Sequence, residues 1–210
     1  MKIIVKIIDY RMSESEFSES LDLIKDMDRE RYEHICKIKS EANRMRSLSA
    51  GLLIKEMCDR LDVKDARILR DDHGKPYLEG HSELFFNLSH SGEYVALAYG
   101  DDPVGIDIQE VRNVPDSFAQ RILNEKEYDL YDLSDTKAIC RVWTIKEAYS
   151  KLIGLGLGYD FRNCMISKDD AGICDITGTY NDASYRTHRV GNDVYMTYVR
   201  FKDTKNGGKS

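Results

Sequence analysis

The sequence is poor in the features that mark several common protein classes. Its five cysteines, Cys36, Cys58, Cys140, Cys164 and Cys174, are odd in number and form no C-x-x-C pair. This argues against a metal-thiolate centre and a disulfide framework, and predicts reduced, mostly buried thiols in a cytosolic protein. Long apolar runs are missing too. The stretch Lys2-Ile3-Ile4-Val5-Lys6-Ile7-Ile8 is too short and interrupted for a membrane span or a signal-peptide core, so it reads as a first β-strand of a soluble, unexported chain. Basic residues are not in excess: Lys and Arg number 31 against 37 Asp and Glu, a formal net charge of -6. That disfavours a dedicated nucleic-acid binder while leaving room for a local basic pocket that holds phosphates. No G-x-S-x-G elbow occurs, which disfavours hydrolase chemistry. The glycine-rich Gly154-Leu155-Gly156-Leu157-Gly158 lacks the Walker lysine pattern and follows a helix instead of preceding one, so it reads as a helix stop and loop.

What is present is a globular composition. The 210 residues are 41% hydrophobic and 32% charged, enough for a core in one large domain or two small ones. After the first strand, Ser13-Glu14-Ser15-Glu16 has the form of a capping box, and Phe17, Leu21 and Ile24 follow at helical spacing. A short helix around Tyr32, Ile35 and Cys36 and a longer one over 41–61 come next, with Leu48, Leu52, Met57 and Leu61 on one face. The period then changes. Strands are predicted at 66–69, 85–88, 94–99 and 104–108, with turns at Asp71-Asp72-His73-Gly74 and Gly100-Asp101-Asp102-Pro103. Helical stretches at 117–123 and 125–130, a long helix over 135–153 and strands at 164–167, 185–190 and 194–201 complete the pattern. Each half thus gives a strand, helices, then a small antiparallel set. This predicts an α+β protein of two similar subdomains, 1–102 and 103–205, with 206–210 as a frayed tail.

Three segments carry candidate chemistry. In Phe86-Asn87-Leu88-Ser89-His90-Ser91 a strand ends in a run of hydrogen-bonding side chains suited to phosphate oxygens, though an ordinary polar turn has the same composition. A Ser89–His90 nucleophile pair is disfavoured, because adjacent strand residues point to opposite faces. In Val104-Gly105-Ile106-Asp107-Ile108-Gln109, alternation puts Asp107 and Gln109 on one face and the isoleucines on the other. An acid between two isoleucines needs a partner, and a cation, an arginine or a backbone amide would serve equally. In Trp143-Thr144-Ile145-Lys146-Glu147-Ala148-Tyr149-Ser150-Lys151, the single tryptophan, Glu147 and Lys151 recur every four residues and share a helical face. A solvated Glu–Lys pair there is worth only about 0.3–0.5 kcal/mol. The indole on the same stripe instead suggests a face turned to protein, with Glu147 and Lys151 in a partly buried cleft.

Taken together, Gly74-Lys75-Pro76, Phe86-Asn87-Leu88-Ser89-His90-Ser91, Gly105-Ile106-Asp107 and Trp143-x-x-Lys146-Glu147-x-x-x-Lys151 resemble the 4′-phosphopantetheinyl transferase superfamily, in its larger, Sfp-type form. Arg46-Ser47-Leu48-Ser49-Ala50-Gly51 is similar to that family's N-terminal helix. The resemblance implies two α/β subdomains related by a pseudo-twofold axis in one monomeric, cytoplasmic chain. It implies transfer of the phosphopantetheine arm of coenzyme A to a serine of an acyl or peptidyl carrier protein, with release of adenosine 3′,5′-bisphosphate. It also implies roles. Asp107 and Glu147 would bind Mg2+, with Mn2+ an alternative oxygen-loving ion. Arg46, Lys75, Ser89 and His90 would hold coenzyme A through its phosphates. Lys151 would contact the pyrophosphate, and Glu147 would serve as base for the carrier serine. Gln109 stands where many members have a third acidic ligand; it would be the third metal ligand through its neutral amide oxygen, or water would fill the place, and either implies weaker Mg2+ binding. The carrier would dock near 111–123, where Val114, Phe118, Ile122 and Leu123 are candidates for an apolar patch, though the i, i+4, i+8 spacing of the first three suits core packing as well, and Arg112 and Arg121 are candidates for basic contacts. No nucleic acid and no membrane are implied. The alternative reading is a catalytically silent module that binds coenzyme A or a carrier.

Overall fold

The computed structural model of the chain describes residues 1–167 and 172–202; the expected tail at 206–210 lies outside them. The chain forms two compact units, Met1–Asp102 and Pro103–Ser210. Among the described residues no helix is long and apolar enough to cross a membrane.

In the first unit, strand β1 (Lys2–Ile7) leads into helices α1 (Glu14–Lys25), α2 (Arg29–Lys37) and α3 (Glu41–Arg60). The capping box at Ser13 is formed: Glu16 N donates to its hydroxyl, and the Glu16 carboxylate accepts from Ser13 N at 2.8 Å. Two orphan amides are thereby satisfied at the helix start. A hairpin of β2 (Ile68–Arg70) and β3 (Pro76–Leu78) follows, then β4 (Phe85–Ser91) and β5 (Tyr94–Gly100). The sheet is antiparallel, in the order β1-β5-β4, so the apolar β5 is central. Strand β4 does not stop at Leu88. It stays paired to Ser91, opposite Tyr94, across a two-residue turn at Gly92-Glu93 where Gly92 adopts φ +55°. Glycine suits that left-handed position. Phe86, Val95, Leu97 and Tyr99 meet Leu48, Leu53, Ile54 and Met57 of α3 and Ile24 of α1 in one core.

The second unit begins with β6 (Val104–Glu110) and the short α4 (Asp116–Ile122). A 3-10 helix (Glu125–Leu130), the long α5 (Thr136–Leu152), β7 (Cys164–Ile166), β8 (Gly172–Asp175), β9 (Ala183–Arg189) and β10 (Val194–Phe201) follow. The sheet is antiparallel, in the order β6-β10-β9-β8-β7, with Asp107 opposite Thr197. Ile145, Ala148, Tyr149 and Leu152 of α5 pack with Tyr185 and Val199 of the sheet. Ile122 and Leu123 lie in this core, at 1% exposure each, and so are not available as a surface patch.

All five cysteines are free. Burial pushes the Cys58 thiol up to about 11 and the Cys164 thiol up to about 12, as suits inert interior sulfurs.

Candidate active site

The close approach of α5 to β6 starts with Gly105. A Cβ there would lie 2.8 Å from Leu152 N and 3.0 Å from the Ala148 carbonyl carbon, inside the contact range of real side chains. Only a residue without a side chain lets the helix backbone lie this close. Two positions along the same face of β6, Asp107 then meets the helix stripe carrying Glu147 and Lys151. The Lys151 ammonium donates to Asp107 Oδ1 at 2.7 Å and lies 3.3 Å from Glu147 Oε1. Trp143, one turn before Glu147, is wedged edge-on between Phe118 (5.2 Å) and Phe161 (4.9 Å). That wedge fixes the stripe in a half-buried cleft.

The electrostatics follow from this geometry. Burial and the neighbouring Asp107 push Glu147 above the usual carboxylate value, partly opposed by Lys151 and Arg112. Burial works against the Lys151 charge, but Asp107 and Glu147 more than offset it and hold that lysine above its ordinary value. Two carboxylates from different elements are thus arranged around one cation. The Gln109 amide donates to the Glu110 carbonyl at 2.9 Å. Among the described residues no group of three or more His, Cys, Asp and Glu side chains is assembled for a metal. The pair Asp107 and Glu147 nonetheless fits magnesium, which is commonly held by one or two carboxylates, waters and substrate phosphates.

Lys146, within the same motif, does something different. It is fully buried, and its ammonium donates to Glu127 Oε2 at 2.5 Å and to the carbonyls of Ile122 (2.7 Å), Cys164 (2.8 Å) and Phe161 (3.1 Å). Glu127 in turn accepts from Asn124 N and Ile166 N. The pair ties α4, the 3-10 helix and β7 to α5, and so sets the wall behind Trp143.

In the first unit, Arg46 and His90 line one concavity of about 600 Å3, together with Arg31, His34, Asn43 and Arg70. Arg46 donates to Asn43 Oδ1 at 2.8 Å. Asp28, the fully buried N-cap of α2, holds both Arg31 and Arg70. Lys75 and Ser89 are not among the lining residues. Lys75 closes the β2–β3 turn, its amide donating to Asp71 Oδ1 at 2.9 Å, and burial lowers its pKa while Asp71 opposes the shift. Ser89 is buried on the face of β4 opposite His90. Sequence reasoning missed Arg31, Arg70 and Asp28. The Asp28-x-x-Arg31 spacing is a readable N-cap signal, but nothing local points to Arg70.

The comparisons with known proteins agree with one another. Residues 9–101 match a family model described as 4′-phosphopantetheinyl transferase, N-terminal, and residues 103–199 match one described as 4′-phosphopantetheinyl transferase superfamily. The chain belongs to the 4′-phosphopantetheinyl transferase superfamily. Within it the similarity is to Sfp-like proteins. The 4′-phosphopantetheinyl transferase Sfp of Bacillus subtilis (strain 168) is 26% identical over 199 residues, covering 90% of this chain and 88% of that protein. The transferase gsp of Aneurinibacillus migulanus is 33% identical over 131 residues, 59% of this chain and 54% of gsp. The transferase psf-1 of Bacillus pumilus is 38% identical over 95 residues, 42% of this chain and 40% of psf-1. The match thus spans about half the length of gsp and less of psf-1, against most of Sfp.

Proposed function

We propose that this chain transfers the 4′-phosphopantetheine arm of coenzyme A to a serine hydroxyl of an acyl or peptidyl carrier domain, dependent on Mg2+ and releasing adenosine 3′,5′-bisphosphate. The observation that carries the reading is the meeting of Asp107 and Glu147 around a single cation, the Lys151 ammonium. The names of the relatives support the reaction type.

Asp107 and Glu147 would hold the ion, which when bound neutralises charge on the pyrophosphate oxygens. Glu147 would also take the serine proton, directly or through a water. The serine oxygen bonds to the phosphorus next to the pantetheine arm, and the bond from that phosphorus to the bridging oxygen breaks. The nucleotide bisphosphate leaves with the electron pair. Lys151 would place its ammonium where charge grows on the leaving group. Arg46 and His90 would hold a phosphate of coenzyme A in the concavity of the first unit, and the rest of catalysis is positioning.

For the carrier, Phe118, Trp143 and the 75%-exposed Leu157 line a second concavity with Arg121, an apolar floor with one basic edge suited to an acidic helix, while Arg162 at its rim is paired with Asp160. Five free thiols go with a reducing, cytoplasmic setting, and we take the chain to act as a monomer.

The intact mass of a purified apo carrier, incubated with the chain, coenzyme A and Mg2+, tests the proposal. A gain of one phosphopantetheine that EDTA abolishes is expected. No gain, with coenzyme A still bound in calorimetry, would favour the silent binding module, the reading that Gln109 in place of a third acid suggests.

A further inference from the structure

We propose that the outer edge of β9 is a docking site for an acidic, extended segment of a partner protein, which adds to the sheet of the second unit as a further strand.

Strand β9 lies between β10 and β8 in the sheet order, but the two neighbours cover it unequally. Strand β10 pairs with it along its whole length, from Ala183 to Arg189. Strand β8 reaches only Ala183 and Ser184, so among the described residues β9 is an edge from Tyr185 onward. The register shows which backbone groups that edge presents. Lys202 N donates to Asp182 O and Val190 N donates to Val194 O, and the antiparallel register is unbroken between them. Even-numbered residues of β9 therefore turn their N–H and C=O to β10, and odd-numbered ones turn theirs outward. The outward groups of Thr187 and Arg189 are placed to extend the ladder to another strand. The usual devices that blunt an edge are missing: Ala183–Arg189 contains no proline and no lysine, and no bulge interrupts its register.

The side chains around this edge select the occupant. Arg186, His188, Tyr198 and Arg200 share one face of β9 and β10, where Tyr198 stands opposite Arg186 and stacks with His188 at 5.9 Å. With Ser184 and Thr187 they line a concavity of about 470 Å3 that has no acidic lining residue. Arg186 and Arg200 are exposed and enter no ion pair among the described residues. This local excess of positive charge stands on a chain whose net charge is -6. A second copy of the chain does not fit: its own β9 would bring Arg186 back against the same cluster, like charge toward like charge. Residues 203–210 of the chain do not fit either, with two lysines against one aspartate. A free anion would answer the arginines and leave the outward groups of Thr187 and Arg189 unused. An acidic strand answers both. Its backbone pairs with the edge, and its alternate side chains fall on the face of Arg186 and Arg200.

Amide hydrogen exchange on the whole chain, read residue by residue by NMR, tests this with a capped peptide of alternating glutamate and threonine. At saturating peptide, exchange at the Thr187 and Arg189 amides should slow about tenfold or more, because a new strand engages them. The same peptide with lysine in place of glutamate should leave exchange unchanged. The double variant Arg186→Glu, Arg200→Glu alters two exposed side chains. It should lose affinity for the acidic peptide by about tenfold or more and gain the lysine peptide. The comparison of the two peptides on wild type stands without the variant. No slowing in wild type at millimolar acidic peptide overturns the proposal, as does equal slowing by both peptides. Shifts at Arg186 and Arg200 without slowing at Thr187 and Arg189, reproduced by inorganic phosphate alone, would mark a simple anion site and overturn the added strand. None of these results bears on the proposed transfer, whose assay uses neither peptide.

Discussion

The ammonium of Lys151 is shared between Asp107 Oδ1 at 2.7 Å and Glu147 Oε1 at 3.3 Å, one cation linking a carboxylate of β6 to a carboxylate of α5. An ion held by these two carboxylates would compete with this ammonium for both. Lys151→Met removes it and leaves two carboxylates facing each other, with Glu147 pushed further up. The melting midpoint at neutral pH should fall, by about 2 kcal/mol in stability, less than the ~3–5 kcal/mol of a fully buried pair because Lys151 is partly exposed. Mn2+ binding without coenzyme A, followed by electron paramagnetic resonance, should tighten, since no ammonium has to be displaced. Unchanged or weaker Mn2+ binding would count against a shared site.

Gly105 sets the spacing of that site. Gly105→Ala places a methyl against the α5 backbone at Ala148 and Leu152, where no flexible side chain can give way. Overpacking of this kind costs about 3 kcal/mol or more. The helix must move off β6, which separates Asp107 from Glu147. Urea denaturation should show the loss of stability, and Mn2+ affinity should fall in the fraction that stays folded. A variant as stable as wild type would show that the helix does not lie this close.

Lys146 and Glu127 are both fully buried, and four acceptors surround the ammonium. Lys146→Met leaves a buried carboxylate and three carbonyls without it, a loss of about 3–5 kcal/mol. The effect belongs to folding, so urea midpoints should drop steeply. Near-normal stability would refute the structural role and reopen a chemical one for this lysine.

Much of this was legible in the sequence, and what was not has identifiable causes. The period of four in Trp143, Glu147 and Lys151 already places them on one stripe, and the alternation in β6 already puts Asp107 on one face. The elements with long, regular patterns are present as read: α3 runs Glu41–Arg60, α5 runs Thr136–Leu152 and β10 runs Val194–Phe201. Strand β2 (Ile68–Arg70) is shifted along the chain from the strand read at 66–69, and the three-residue β3 and the four-residue β8 are too short to express a period. Strand β4 looks as if it ends where Asn87, Ser89 and Ser91 bring in polarity. It continues because each is paired across to β5, opposite Ala98, Ala96 and Tyr94. The meeting of Arg70 with Asp28, and of Lys146 with Glu127, joins residues with no local signal for each other.

Asp175 provides a pH test that is independent of the candidate site. Burial would push its carboxyl up, but hydrogen bonds from Thr177, Tyr159 and the amides of Tyr180 and Thr179 outweigh this and hold it below the usual aspartate value. A carboxyl depressed in the folded state binds protons more readily when unfolded. Its stabilising contribution is therefore complete above the unfolded value and is lost as pH falls through the folded one. Asp175→Asn removes this contribution. The stability gap between wild type and variant, from urea melts, should be widest above the ordinary aspartate range and shrink as pH falls below it. A gap independent of pH would mean that the carboxylate charge is not what the loop at Thr177–Tyr180 uses.

The most direct test of the central claim is the intact-mass assay on an apo carrier, run with wild type, Asp107→Asn and Glu147→Gln at equal folded concentration. With Mg2+ and coenzyme A, wild type should add one phosphopantetheine to the carrier serine. Both variants should melt as folded proteins and slow the transfer by about 10²-fold or more, as expected for loss of a general base or an ion ligand. Transfer at the wild-type rate by either variant would contradict the assignment of Asp107 and Glu147 as the pair that holds the ion and takes the proton.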